Sequence, residues 1–307
     1  MRQKIIFFFF LLTFVGCVTD ITSDIPQAPI KPVIMGILHP QQNISVGVYK
    51  SRGLFDTDKN VFILNAKVEL WRNDTFVGLA ILDSAKQYSA PMRPKPNEQW
   101  TIKVFTGFGN ATATTVLPNI VPITSAAFYS KKDLILENFG NFNTNYEIAL
   151  KFKDDATAQN FYFVSNGLVD ATNTTYYPLV SLSNDPIILS ESRRRMYEIP
   201  NASWSGMGLS YIFSDALFNG RDNNMKFSVV VEQYNDSVQS LNLRMKLHHC
   251  NTEFYKFYKS ANITNLYTKP DLLPIFFGDA ENRYSNVEGG YGIWAAYSTD
   301  SVMAVLR

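Results

Sequence analysis

The chain has 307 residues, with 28 Lys and Arg against 27 Asp and Glu, a formal net charge of +1. A hydrophobic fraction of 46% with only 18% charged residues excludes a disordered chain and suits one large domain or two ordinary ones. The neutral balance argues against a nucleic-acid binder, two cysteines exclude a disulfide framework, and three histidines leave little room for a His-built metal centre.

Residues 1–16 read as a signal peptide. Arg2 and Lys4 give a positive start, and the apolar run Ile5 to Val15 is too short to cross a hydrocarbon core of about 30 Å. Phe14-Val15-Gly16-Cys17 has the form of a lipoprotein cleavage site, with the small Gly16 before the cut and Cys17 as the lipid attachment residue. Phe14 stands where such sites usually carry Leu, and an ordinary secretory signal beside an incidental cysteine is the alternative. Removing Arg2 and Lys4 takes the net charge from +1 to −1. Residues 17–32, with Pro26 and Pro29, read as a lipidated tether. No later run reaches about eighteen apolar residues, so acyl chains at Cys17 are the expected membrane anchor.

The body reads as all-β. Over 33–118 the pattern predicts an N-terminal antiparallel sandwich of the immunoglobulin or transthyretin type. Ala66 to Arg72 alternates with period two, Asn73-Asp74 signals a turn, and Thr75 to Ile81 returns as the hairpin partner. Pro91, Pro94 and Pro96 mark a loop, and Trp100, Ile102 and Val104 alternate with polar neighbours as a half-buried strand. Pro118 and Pro122 bracket a stiff joint. Residues 119–307 read as a second β domain with strands at Glu147–Phe152, Phe161–Val164, Leu209–Phe213 and Phe227–Glu232. The clearest is Leu241, Leu243, Met245 and Leu247 alternating with Asn242, Arg244, Lys246 and His248. Asn251 then caps a short helix, about 252–262, in which Phe254, Phe257, Tyr258 and Ala261 share a face.

Several blocks occur in a telling order: the lipoprotein site, the strand-turn-strand region Ala66–Leu117, and the Pro118-to-Pro122 joint with Ile123-Thr124-Ser125. Phe213-Ser214-Asp215-Ala216-Leu217-Phe218-Asn219-Gly220, Glu253 to Tyr258, and Asn286-Val287-Glu288-Gly289-Gly290-Tyr291-Gly292-Ile293-Trp294 follow. In this order the chain resembles the Bacteroidetes-type outer-membrane lipoproteins grouped as domain of unknown function 4249. The resemblance implies a two-part β protein of the outer membrane, with a TonB-dependent transporter as neighbour and partner. It carries over no catalytic residue.

Candidate chemistry is sparse. His248-His249-Cys250 with Glu253 holds the metal-ligand side chains, but zinc wants four convergent ligands and no second cluster supplies them. A strand end beside a helix cap, with Cys250 a buried thiol, is the stronger reading. Asp56-Thr57-Asp58-Lys59-Asn60 begins like a calcium loop but has Val61 and Lys67 where Gly and a bidentate acid belong. Gly289-Gly290-Tyr291-Gly292 lacks the Lys-Ser/Thr of a phosphate loop and reads as a backbone bend before a strand at Ile293–Tyr297. Arg193-Arg194-Arg195 is a short basic run, solvated or a partner contact. No serine sits in a nucleophile elbow, and no catalytic, metal or cofactor-binding residue is assigned. Asp83-Ser84-Ala85, Asp236-Ser237-Val238 and Asp300-Ser301-Val302 resemble acceptors for bacterial O-glycosylation, at Ser84, Ser237 and Ser301.

The expectation is therefore an outer-membrane, surface-facing lipoprotein without enzymatic activity, serving as an accessory subunit beside a TonB-dependent transporter in nutrient uptake. The alternatives are a stand-alone module binding a glycan ligand or an adhesion partner, a subunit of a secretion or assembly complex, and a carboxylate-pair hydrolase.

Overall fold

The computed structural model describes residues 29–52, 61–131, 142–169, 175–176, 181–182, 185–188, 197–200, 207–233, 242–265 and 283–305. Seven strands build the first part: β1 (Pro32–Leu38), β2 (Ile44–Lys50), β3 (Lys67–Arg72), β4 (Thr75–Leu82), β5 (Tyr88–Ala90), β6 (Gln99–Thr106) and β7 (Gly109–Val116). They pair in the order β1-β2-β5-β4-β3-β6-β7, every ladder antiparallel. Alternation explains the burial: Trp100, Ile102 and Val104 of β6 point inward with Val68 and Leu70 of β3. The turn Asn73-Asp74 joins β3 to β4 with both residues at positive φ, 46° and 62°, which short polar side chains tolerate best. A bridge from Thr112 of β7 to Glu288 brings the far edge back towards β1, so this sheet curls around one core like a barrel.

The second part contains β8 (Ile123–Lys131), β9 (Phe142–Lys153), β10 (Phe161–Val169), β11 (Thr175–Tyr176), β12 (Ser181–Leu182), β13 (Tyr197–Pro200), β14 (Met207–Ser214), β15 (Asp222–Gln233) and β16 (Asn242–Cys250). Helix α1 (Thr252–Asn265) and β17 (Tyr291–Val305) follow. A four-stranded sheet, β12-β15-β9-β8, packs on the run β14-β10-β16. Between them lie Ile148, Leu150, Phe227, Tyr162, Phe213 and Met245. The other face of β10, β14 and β16 carries Phe161, Phe163, Ile212 and Cys250, and α1 covers it with Phe254, Phe257 and Tyr258. The order is sheet, sheet, helix, as an amphipathic helix and a two-faced sheet require.

β17 unites the two parts. Its positions Tyr291 to Ala296 pair with β1 in parallel, and Tyr297 to Val305 pair with β16 antiparallel. A single sheet of 13 strands therefore runs from one part into the other. Along this strand Trp294 and Ala296 enter the barrel core, whereas Ile293, Ala295 and Tyr297 enter the core under the helix. The parallel approach is close. A Cβ at Gly292, held at φ 110°, would collide with the Ile34 carbonyl, and one at Gly36 would collide with the Trp294 ring.

Asn251 starts α1 as the spacing predicts, its Oδ1 accepting the Phe254 N–H at 3.1 Å. The same oxygen also faces the Ala296 N–H at 3.3 Å, and its amide nitrogen donates to Thr115 Oγ1 and, at 3.3 Å, to the Val116 carbonyl. One side chain thus ties the helix to β17 and to β7. Asn251→Ala is expected to cost about 2 kcal/mol, the upper end for a lost cap, because partners in the barrel are orphaned too. A urea denaturation curve that moves by less than about 0.5 kcal/mol would contradict that triple role.

Candidate functional site

The histidines that dominate the sequence search sit in two separate networks. His248 is buried on the helix side of β16, its ring stacked on Phe163 at 4.1 Å between centroids and 8° between planes. Its Nε2 lies 2.8 Å from Ser165 Oγ, and its Nδ1 lies 2.8 Å from Thr299 Oγ1. Thr299 Oγ1 is in turn 3.0 Å from His39 Nε2, and His39 Nδ1 faces the Gln41 N–H at 3.3 Å. The Gln41 amide can only donate, so one direction satisfies every member. Gln41 N–H donates to His39 Nδ1, His39 Nε2–H to Thr299, the Thr299 hydroxyl to His248 Nδ1, and His248 Nε2–H to Ser165. Burial, with the Lys246 charge behind it, pushes His39 down to about 4 and His248 well below the ordinary histidine value. Both rings are neutral. Ser165 beside His248 has a nucleophile's neighbour without its access, since Ser165 is 6% and His248 2% exposed. Nothing in the sequence signals this chain, whose members stand 83 and 260 positions apart.

His249 points to the opposite face. Its Nδ1–H donates to the Asn119 carbonyl at 2.8 Å, and the Ser298 hydroxyl donates to the same oxygen at 2.6 Å. The Pro118-to-Pro122 joint is thereby fastened to β16 and β17. Burial lowers the His249 pKa, against the Asn119 bond and the carboxylates of Asp154, Asp155 and Asp215, which raise it. Asp154 and Asp215 are themselves buried and structural. Asp154 accepts the Tyr162 hydroxyl at 2.5 Å on Oδ1 and the Gly220 N–H at 2.7 Å on Oδ2. Asp215 Oδ2 accepts the Asn160 N–H at 2.7 Å. The segment Phe213 to Gly220 thus forms a bracket that fixes the turn between β14 and β15 to the one between β9 and β10. Burial, reinforced by Asp154, raises the Asp215 pKa.

The remaining sequence candidates scatter. Cys250 is a buried free thiol facing the helix. Among the described residues no group of three His, Cys, Asp or Glu side chains converges to hold a metal ion. Ser84 is exposed at the turn after β4, where Asp83 accepts from the Ala85 and Gln87 N–H groups and the Ser89 hydroxyl. Ser301 is exposed on β17. Cys17, Asp56 to Asn60, Arg193 to Arg195 and Ser237 lie outside the described residues.

Two surfaces stand out instead. On the outside of the barrel, β4 presents Phe76, Leu79 and Ile81, which are 48%, 47% and 74% exposed. Trp71 of β3 lies edge-on to Phe76 at 5.6 Å, and the Lys103 ammonium sits 3.9 Å above the indole. The result is an apolar stripe bordered by charge. The second surface is the outer face of the four-stranded sheet, a shallow trough of about 560 Å³ lined by Tyr129, Glu147, Asp185, Asn224 and Lys226. The Tyr129 ring is 60% exposed there. Neither surface was legible beforehand, because a strand's outward residues declare themselves only once its inward face is known.

The family model described as a domain of unknown function, DUF4249, matches residues 18–302. No curated protein matches the chain.

Proposed function

Because the chain belongs to the DUF4249 family, we propose that it is a lipid-anchored outer-membrane protein, acting without catalysis as the partner-binding subunit of an envelope complex. The partner is a TonB-dependent transporter, in keeping with the resemblance noted above, and the role is in nutrient uptake. The observation that carries this reading is the stripe of Phe76, Leu79 and Ile81 beside Trp71. Scattered exposed apolar residues need no explanation, but several aligned on one sheet face form the contiguous patch that partner contacts use. A lipid at Cys17 would hold that face near its partner. The roughly fifteen residues from Cys17 to the start of β1 reach at most about 50 Å when extended, which converts a search in volume into one within a thin layer. The buried acids and histidines described above are engaged in hydrogen bonds that hold the fold, which favours a binding role over a hydrolytic one.

The test is affinity capture of the full-length lipidated protein from gently solubilised native membranes, with mass spectrometry of its companions. A stoichiometric TonB-dependent transporter is expected, and Ile81→Glu should reduce its recovery at least tenfold. An outward position makes that change nearly neutral for folding, within about 0.5 kcal/mol. A different β-barrel assembly in the eluate would move the role to secretion or envelope assembly. Full recovery with Ile81→Glu would sink the stripe as the contact.

A second reading has its own observation. The trough beside Tyr129 combines an exposed ring with Glu147, Asp185, Asn224 and Lys226, a set that suits the faces and hydroxyls of a neutral glycan. Binding of soluble polysaccharide by the protein, lost in Tyr129→Ala, would favour it.

A further inference from the structure

The directed chain from Gln41 to Ser165 crosses the seam on which the whole molecule depends. His39 directly follows β1, Thr299 lies on β17, His248 on β16 and Ser165 on β10. In both rings Nε2 already carries a hydrogen, so an added proton can only go to Nδ1. On His39 that is the acceptor of the Gln41 N–H, and two N–H groups would then face each other. On His248 it is the acceptor of the Thr299 hydroxyl, whose oxygen would then take an N–H from each side while its own hydrogen lost its acceptor. We propose that this seam is a proton-operated latch, closed while His39 and His248 are both neutral and opened between β1 and β17 by a proton on either ring.

Among the described residues, the surroundings offer an added proton no compensation. From β16 comes the Lys246 cation, whose charge bears on both rings, and each ring's own charge would bear on the other, as the His39 contribution at His248 shows. From β17 comes Tyr297, whose ring lies 4.9 Å from His39 and 5.3 Å from His248 and whose hydroxyl burial pushes up to about 12. From β10 come the stacked Phe163 and the hydroxyl of Ser165, and from α1 the uncharged Phe254 behind Phe163. Asp300, the acid next to Thr299, accepts the Ile123 N–H at the joint instead.

The sign follows from the depressed histidines. When the seam opens, each ring returns towards the ordinary value of 6.5, so stability of the closed state is full above that pH and is lost as pH falls towards about 4. Between about pH 7.5 and about pH 5, the opening constant contributed by His39 alone rises roughly twenty-five-fold.

Hydrogen exchange of the full-length protein at these two pH values, corrected for intrinsic rates, reads this directly. The amides of Gly36 to Leu38 and of Trp294 to Ala296 should open roughly twenty-five-fold more often at the lower pH, while those of β9 and β15 change less than about threefold. His39→Gln places an uncharged N–H where Nε2 donates and should flatten the response. Lys246→Gln removes the neighbouring cation, brings the closed-state pKa of both rings nearer the open-state value and should shift the response by shrinking the fold-change between the two pH values, which a purely structural histidine would not do. If His39→Gln fails to fold, the Lys246→Gln shift decides alone. A uniform change across both sheets, no change at the seam, or an unmoved response in Lys246→Gln would overturn the latch.

Discussion

Replacing Trp294 with Ala is expected to destabilise the protein by about 4 kcal/mol, within the range for removing a buried aromatic side chain from a packed core. Trp294 is fully buried in the barrel core although it is carried by the last strand. Its indole N–H donates to the Trp100 carbonyl at 3.0 Å, and its backbone N–H and C=O are both taken by the Asn286 side chain, at 3.0 and 2.7 Å. Truncation therefore empties a large volume and leaves a buried carbonyl without its donor. The flat contact with Gly36 allows no side chain to grow into the space, so relaxation can fill little of it. Trp294→Phe separates the two effects. It retains most of the apolar area, loses only the indole hydrogen bond, and should cost about 2 kcal/mol. Chemical denaturation measures both. A loss below about 1 kcal/mol for Trp294→Ala would mean that β17 is not the element that joins the barrel to the rest.

How much of this was legible follows from the distance over which each feature acts. The β3–β4 hairpin, the alternation of β6 and β16 and the cap at Asn251 depend on neighbours in the chain, and the sequence pattern places them where the structure has them. The strand at Ile293–Tyr297 was also readable, but its role was not. Gly292 to Tyr297 carries apolar residues on both faces, because one face serves the barrel core and the other the core under the helix. Such a run says that a strand is buried on both sides and is silent about its partner. Its partner β1 lies more than 250 positions away, and the pairing is parallel, so no turn residue announces it. The candidate surfaces were hidden for a related reason. Phe76, Leu79 and Ile81 look like core residues in the sequence, and only the inward turn of Val68, Leu70 and Ala80 shows that they face solvent. The buried acids of the bracket at Phe213 to Gly220 were visible only as members of a motif, since the Tyr162 and Asn160 groups that satisfy them come from another strand and turn.

That bracket supports the second large effect, because the same substitution at its two aspartates should have very unequal consequences. Asp154→Asn is expected to cost about 3 kcal/mol. The Tyr162 O–H and the Gly220 N–H each point at a different carboxylate oxygen, and an amide has one oxygen to offer: with it on the Gly220 N–H, the phenol must turn to accept from the NH2 and its own hydrogen is left without an acceptor in a buried site. Asp215→Asn should cost less than about 1 kcal/mol. Its hydrogen bonds from the Asn160 backbone and side chain both land on Oδ2, where an amide oxygen can receive them. It also removes a charge that burial and the neighbouring Asp154 disfavour, as the raised pKa of Asp215 records. A carboxylate whose folded pKa is raised weakens the fold above that pKa, and the penalty fades as pH falls through it. Asp215→Asn should therefore remove a component of the pH profile that runs against the histidine latch, leaving a steeper loss of stability on acidification. Thermal denaturation of the two variants across the acid range provides the comparison. Equal losses in both would mean that the bracket is held by its backbone hydrogen bonds, such as that from the Asp215 N–H to the Asn160 carbonyl at 3.0 Å, and not by the division of donors between the two carboxylates.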